Sequence, residues 1–312
     1  MPHPLSVVKT TAQDPSHTQI LGSSTRRRRQ QAARARMERY WLHKEKALTF
    51  EPNAIDTLRI GRIKTTIKEA AEDTLKGSII ADLGCGDCNL ARHLGSKGAI
   101  VHASDIATNA LGLARRYEMK NISLSVECLP ETSLSSATYD CVICADVIAD
   151  LDSTDYRLLI SEIARLVTHD GSVVISTALD LSTEGALQRF LALLQTEIEV
   201  NSIVLSHHRI AILLLALLRL PSKLAHAGQT PSNRQQWLSE LKGIARWTTA
   251  LNCTRPLSTL WRIVSIPMSA LADILEKNRR VTLFLEWISQ RIYRNQRSIT
   301  HVIACGKKRK LR

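Results

Sequence analysis

The residues best suited to chemistry lie in the run Asp82-Leu83-Gly84-Cys85-Gly86-Asp87-Cys88 and, further along, at Asp105. Glycines permit positive φ and let a ligand lie against bare backbone. A helical pattern begins at Asn89, so unpaired N–H groups would face whatever sits at the turn. Asp105 closes the next apolar stretch, where a carboxylate can accept from both hydroxyls of a ribose. A glycine turn followed by such an acid suits a nucleotide-type ligand. The dinucleotide fingerprint G-x-G-x-x-G would need glycine where Asn89 stands. The spacing instead fits D-x-G-x-G-x-G, with Cys88 in place of the last glycine.

Positioning these groups takes a strand, a tight turn and a helix. The short apolar run 79–81 supplies the first strand, and residues 89–94 the helix. Residues 98–104 read as a second strand, 108–118 as a helix and 123–128 as a third strand. A fourth strand is expected at 140–144, an amphipathic helix at 154–168, and a turn at Asp170-Gly171. A fifth strand at 172–178, a helix at 183–195 and a sixth strand at 198–206 follow. Apolar residues recur at helical spacing over 54–75, and 33–48 also reads as a helix. Beyond Ser206 the chain is basic and helical, with an ambiguous strand at 281–286 and a final strand at 298–306.

DLGCGDCNL followed by SDIA closely resembles the class I S-adenosylmethionine-dependent methyltransferases. The resemblance runs over residues 53–206, through YDCVICADVIADL (139–151) and GSVVIST (171–177). Within that class, EPNAIDTLRIGRI (51–63) is most similar to the ubiquinone-biosynthesis O-methyltransferases. The resemblance implies a Rossmann-like α/β sandwich with a seven-stranded, mostly parallel sheet. The implied strand order is 3-2-1-4-5-7-6, with the seventh strand antiparallel and a helical insert before it. The implied cofactor is S-adenosylmethionine, which carries its methyl on a sulfonium and so needs in-line alignment and exclusion of water more than a base.

The resemblance also assigns residues. Asp82, Gly84, Cys85 and Gly86 form the cofactor turn, and Asp105 with Ile106 the ribose side. Cys128 and Leu129 lie where the adenine is held, Ala145 ends the fourth strand, and Arg59 meets the cofactor carboxylate through a forked bond. Cys128 stands where an acid is common in the family. An E-x-x-E-H pattern, tied to a divalent metal in the quinone enzymes, aligns with Asp146, Ala149 and Asp150, so no metal is expected. Asp146, Asp150 and His207 are the catalytic candidates. Either aspartate could equally cap the next helix, and a His-His pair equally serves structure.

The net charge of +13 is unevenly spread. Residues 1–50 carry 10 Lys/Arg against 3 Asp/Glu, 51–200 carry 13 against 22, and 201–312 carry 19 against 4. An acidic core between basic flanks points to an anionic partner, either RNA or a lipid surface, or to solubility alone. The organisation expected is a disordered basic arm at 1–32, a cofactor-binding core at 33–206, a basic helical insert or lid at 207–297, and a last strand with a basic tail at 298–312. Arg26–Arg29 is read either as a tether to RNA or membrane or as a solvated arm. The seven cysteines include two C-x-x-C pairs. Zinc is rejected, because the first pair sits in the ligand turn and the second on a strand, where residues three apart point to opposite faces. The odd count and the absence of a signal peptide suggest reduced thiols in the cytoplasm, with an Arg- and Ser-rich transit peptide as the alternative. Ile210–Leu218 is too short for a bilayer, which takes about 20 residues. It suits a buried helix better than one dipping into a membrane interface. With four of the five tryptophans nearby, the region suits a lid over an apolar acceptor. The preferred reading is methyl transfer to a small-molecule or lipid-like acceptor. Methylation of RNA and a catalytically silent cofactor-binding protein are the alternatives.

Overall fold

The computed structural model describes residues 15–46, 53–71, 74–117, 119–179, 185–227, 255–293 and 297–309. Its centre is one sheet of seven strands in the order β3-β2-β1-β4-β5-β7-β6. The strands are β1 Ile79–Leu83, β2 Ile100–Asp105, β3 Ile122–Val126, β4 Tyr139–Ala145, β5 Val167–Ala178, β6 Ile198–Ser206 and β7 His301–Lys308. All pairings among β1–β5 are parallel, while β7 runs antiparallel to both β5 and β6. Order and direction agree with the expectation. Parallel strands carry helices on both faces, so their side chains alternate between two apolar layers. Ala81, Leu83, Val142 and Cys144 pack with the helix α5 (Tyr156–Leu166) and with α6 (Ala186–Leu194). Ile80, Cys141 and Ile143 pack on the other side with α2 (Ala54–Ala70) and α3 (Asn89–Ser96). Cys141 and Cys144 therefore do lie on opposite faces of β4.

Several boundaries differ from the sequence reading. The α2 helix stops at Ala70, and its start is capped by the Asn53 side chain accepting from Asp56 N–H at 2.8 Å. Asp170-Gly171 is an outward bulge inside β5, since Tyr139 pairs with Val167 but Cys141 with Ser172. Gly171 is needed there, because a Cβ would lie 2.9 Å from the Asp140 carbonyl oxygen. The final strand begins at His301 and ends at Lys308 rather than spanning 298–306.

The boundary expected near residue 32 falls inside one helix, α1, which runs Pro15–Lys46. The polar composition that reads as disorder is compatible with helix here because its arginines have partners on the core. Residues 1–14 lie outside the described residues. The short helix α4 (Thr108–Ala114) follows β2. Between β6 and β7 come α7 (Arg209–Ala227), α8 (Arg255–Lys277) and α9 (Arg279–Ile292). The ambiguous stretch 281–286 belongs to α9, whose start is capped by the Asn278 side chain accepting from Arg280 and Val281 N–H. Ile210–Leu218 lies in α7 but is not a buried helix: Ala211 and Leu218 face inward while Ile212, Leu213 and Leu217 are exposed. Of the four tryptophans in the insert, Trp237 and Trp247 lie outside the described residues.

Candidate active site

Parallel strands place their C-terminal ends on one edge, and ligands bind in the crevice there. β1 ends at Asp82 and Leu83 and passes into Gly84 (φ +77°), Cys85 and Gly86 (φ +55°). Cys88 also takes the left-handed conformation (φ 60°) at the start of α3. A cysteine thus occupies a backbone position that favours glycine, and its buried thiol lies 3.3 Å from that of Cys85. The two glycines are closely covered. The Val147 side chain fills the space over Gly84, and a Cβ on Gly86 would lie 2.6 Å from the Trp41 ring of α1.

Asp105, ending β2, braces this turn. One carboxylate oxygen accepts from Gly86 N–H at 2.9 Å and the other from Ala107 N–H at 2.8 Å. Burial pushes its pKa up, and the two backbone donors partly offset this. Each oxygen retains a second lone pair for a ribose hydroxyl. Asp82 is buried beside it, and one of its oxygens has no hydrogen-bond partner. Burial, with the nearby charge of Asp105, pushes the Asp82 carboxyl up to about 7. A buried acid of this kind favours a cationic ligand, which would return it to the ionised form.

Arg59 of α2 reaches the same edge, pairing with Asp146 at 2.5 Å and with Asp56 at 3.1 Å, while its buried Nε has no hydrogen-bond partner. Asp146 follows β4 with φ 63°, accepts from Ser176 at 3.1 Å, and makes a short contact with His301 Nε2. Burial opposes its ionisation, but His301, Arg59 and Ser176 together hold its pKa below the ordinary value. His301 is buried, and its Nδ1 has no hydrogen-bond partner. Ala145 precedes Asp146 at the end of β4, and Ile106 follows Asp105. Cys128 and Leu129 follow β3 and face α1: the Leu129 carbonyl accepts from Gln30 at 3.5 Å. Burial raises the Cys128 thiol pKa while Arg34 and Arg26 of α1 lower it.

The other two catalytic candidates are engaged elsewhere. Asp150 pairs with Arg36 of α1 at 3.1 Å. His207 donates its backbone N–H to Glu286 and its Nδ1 lies 2.7 Å from Ser298 Oγ. Burial lowers the His207 pKa, Glu286 partly offsetting it. Among the described residues, no group of three His, Cys, Asp or Glu side chains is arranged to hold a metal ion.

Glu38 and His301 are residues of this edge that the sequence did not single out. Glu38 of α1 accepts from the Thr108 and Asn109 N–H groups at the start of α4, at 2.7 and 2.9 Å. Burial opposes its ionisation, and those donors outweigh it, holding its pKa low. The arginines of α1 dock in the same way. Arg26 pairs with Glu131 and Asp155, Arg29 with Asp152, and Arg34 donates to Thr108. The strand order held a signal for His301, since an antiparallel β7 must begin at the edge where its parallel neighbours end.

Residues 80–171 match the family described as a methyltransferase domain. The ubiquinone biosynthesis O-methyltransferase of Burkholderia thailandensis is 31% identical over 107 residues, covering 33% of this chain and 45% of that protein. The chloroplastic magnesium protoporphyrin IX methyltransferase of Arabidopsis thaliana is 35% identical over 131 residues, 39% of this chain and 40% of that protein. The chain thus spans about half the length, or less, of these curated relatives. Among solved structures, the magnesium protoporphyrin IX methyltransferase of Synechocystis PCC 6803 with bound SAM is 20% identical, with a TM-score of 0.45, over 57% of this chain and 89% of that one. Residues 80–171, which hold the glycine turn at the end of β1, are thus similar to a methyltransferase domain.

Proposed function

We propose that this chain catalyses methyl transfer to the hydroxyl of a small, apolar or lipid-like acceptor, with S-adenosylmethionine as donor. The observation that carries the donor half is the buried pair Asp82 and Asp105 at the glycine turn, with an oxygen of Asp82 left without a partner. S-adenosylmethionine offers a sulfonium and an ammonium to such an acid, a diol to Asp105, and a carboxylate to Arg59. When bound, it supplies a methyl group already activated as an electrophile.

The chain's own groups do the rest. Asp105 holds the turn closed through Gly86 and Ala107 while retaining acceptor capacity for the ribose. Val147 and Trp41 exclude water from the glycines. A hydroxyl acceptor gives up a proton as its oxygen gains the methyl. Asp146 and His301, hydrogen-bonded at the end of β4, form a pair able to take that proton. The small-molecule reading is supported by relatives named for quinone and porphyrin methylation. The RNA reading rests on Arg26–Arg29, and Arg26 and Arg29 have partners on the core instead.

Calorimetric titration of S-adenosylmethionine is the test. Asp105→Ala should weaken binding by about 10- to 150-fold, the equivalent of ~1.5–3 kcal/mol for a charge-assisted contact. Affinity should also rise with pH through about 7, as Asp82 ionises, and Asp82→Asn should flatten that dependence. Unchanged affinity in a folded Asp105→Ala protein would sink the site assignment. Mass spectrometry of small molecules that co-purify with the chain addresses the acceptor; recovery of RNA alone would overturn that half.

A further inference from the structure

The α8 helix spans 23 residues, yet Ala272 is its only buried side chain among those described. Trp261, Val264, Met268 and Leu275 are half-buried, but packing does not explain the helix's other apolar residues. Leu260, Ile263, Leu271 and Ile274 recur at helical spacing on one face and are exposed, and Ile266, 71% exposed, borders them. The α7 helix, packed along α8, exposes Ile212, Leu213, Leu217 and Leu220. On α9, Phe284 and Trp287 stack at 6.0 Å between ring centres, both about half exposed, and Arg291 lies 4.3 Å over the Trp287 ring. This much exposed apolar surface marks an interaction site.

Charge identifies the partner. Lys223, Arg262, Lys277, Arg279 and Arg280 are exposed, and no ion pair among the described residues engages them. The acids of these three helices are already matched: Asp273 and Glu276 pair with Arg219, and Glu286 is buried against Arg62. A second copy of the same face would meet like charge, whereas an anionic surface complements it. No helix among the described residues is long and apolar enough to cross a membrane. Basic helices with exposed aliphatic rows and an arginine-backed tryptophan suit the plane of a headgroup layer.

We propose that the outer face of α7, α8 and α9 docks on an anionic lipid bilayer, with its leucines and isoleucines entering the headgroup boundary and its free basic residues meeting lipid phosphates. This surface is separate from the cofactor turn and does not depend on the methyl-transfer reading.

The test is flotation of the full chain with vesicles of neutral phosphatidylcholine, alone or with about one-third phosphatidylglycerol, across a salt series. Wild type should float with the anionic vesicles, keep part of its binding at about 1 M salt, and shift its tryptophan emission to the blue. Arg279→Ser with Arg280→Ser should weaken partitioning by roughly 30-fold at low salt. Ile263→Glu with Ile266→Glu should abolish the salt-resistant part without changing the thermal midpoint, because both side chains are exposed. No association with vesicles at any salt would overturn the proposal. So would a dimer, seen by sedimentation, that the isoleucine substitutions dissolve. Binding to RNA that these variants weaken, with vesicles ignored, would overturn it as well.

Discussion

Two basic segments, α1 and the insert α7–α9, are attached to the acidic core by opposite means. The α1 helix is pinned by polar contacts spread along its length, exposed apart from that of Arg26 with the buried Asp155. Arg26, Arg29 and Arg36 reach Asp155, Asp152 and Asp150 in the stretch between β4 and α5, and Glu38 reaches the start of α4. The insert packs on α2 and is tied to it by one forked bond. Both Arg62 Nη groups donate to Glu286, at 2.9 and 2.7 Å, and the same guanidinium donates to Ser206 at 2.6 Å. Glu286 also accepts from His207 N–H at 2.9 Å. Exposed pairs are individually weak and screened by salt, whereas a buried acid without its partner is very unfavourable. The comparison teaches that similar arginine-rich sequences can make either a releasable cover or a fixed platform.

Removing the platform's link should have the largest effect. Arg62→Ala leaves Glu286 buried without its cation and should cost ~3–5 kcal/mol in urea unfolding. A loss below about 1 kcal/mol would place the link on the same footing as the surface pairs and end the contrast.

Acid should expose the same link. Burial opposes ionisation of Glu286, but Arg62 and the His207 N–H more than compensate, so its folded pKa is lowered. A lowered carboxyl contributes stability that is complete above its unfolded value, near about 4.3, and is lost as pH falls through the folded value. Wild type should therefore lose stability below about pH 4 in part through Glu286, and Glu286→Gln should show a shallower acid slope. Equal slopes would assign acid sensitivity to other carboxylates.

The cover should respond more gently. Arg29→Ser with Arg36→Ser should cost no more than ~1 kcal/mol per pair in global stability, since both pairs are exposed. It should nonetheless speed proteolysis within α1, and added salt should do the same to wild type. Cleavage of α1 as slow in the double variant as in wild type would show that Trp41 and Glu38 hold the helix without the arginines.

The smallest effect sharpens what the cover contributes to the site. Trp41→Ala removes the ring over Gly86 and should weaken S-adenosylmethionine binding by a few-fold, about 0.5–1.5 kcal/mol, with little change in unfolding. Tighter binding in that variant would mean that Trp41 obstructs the turn.

The glycine turn and its bracing aspartate were legible because their signals are local. Asp82, the two glycines and the helix start lie within one βα unit, and Asp105 closes the next strand. The contacts of Asp146 draw on residues far apart in sequence. His301 meets Asp146 across 155 positions, through a strand that enters from the insert. Arg26–Arg29 reads the same whether it faces water or an acidic loop, so its partners became visible only with Asp152 and Asp155 in place. Ile210–Leu218 reads as burial because hydropathy records the residue type and not which face is covered. Cys88 shows a further limit: its left-handed backbone was foreshadowed only by the glycine it replaces.

The position of β7 bears on how the chain reaches this structure. Among the seven strands it is the last in sequence, yet it lies between β5 and β6, pairing Ser206 with His301 across the whole insert. During synthesis, β6 emerges without a hydrogen-bonding neighbour and β5 keeps an open edge until residues 301–308 are made. Closing a loop of that length carries a length-dependent entropy cost of about 4 kcal/mol, which only the completed sheet recovers. The nascent chain must therefore shield two unpaired strand edges while nearly a hundred residues, the helices α7–α9 among them, are added between them, making this interval its period of greatest exposure to misassembly.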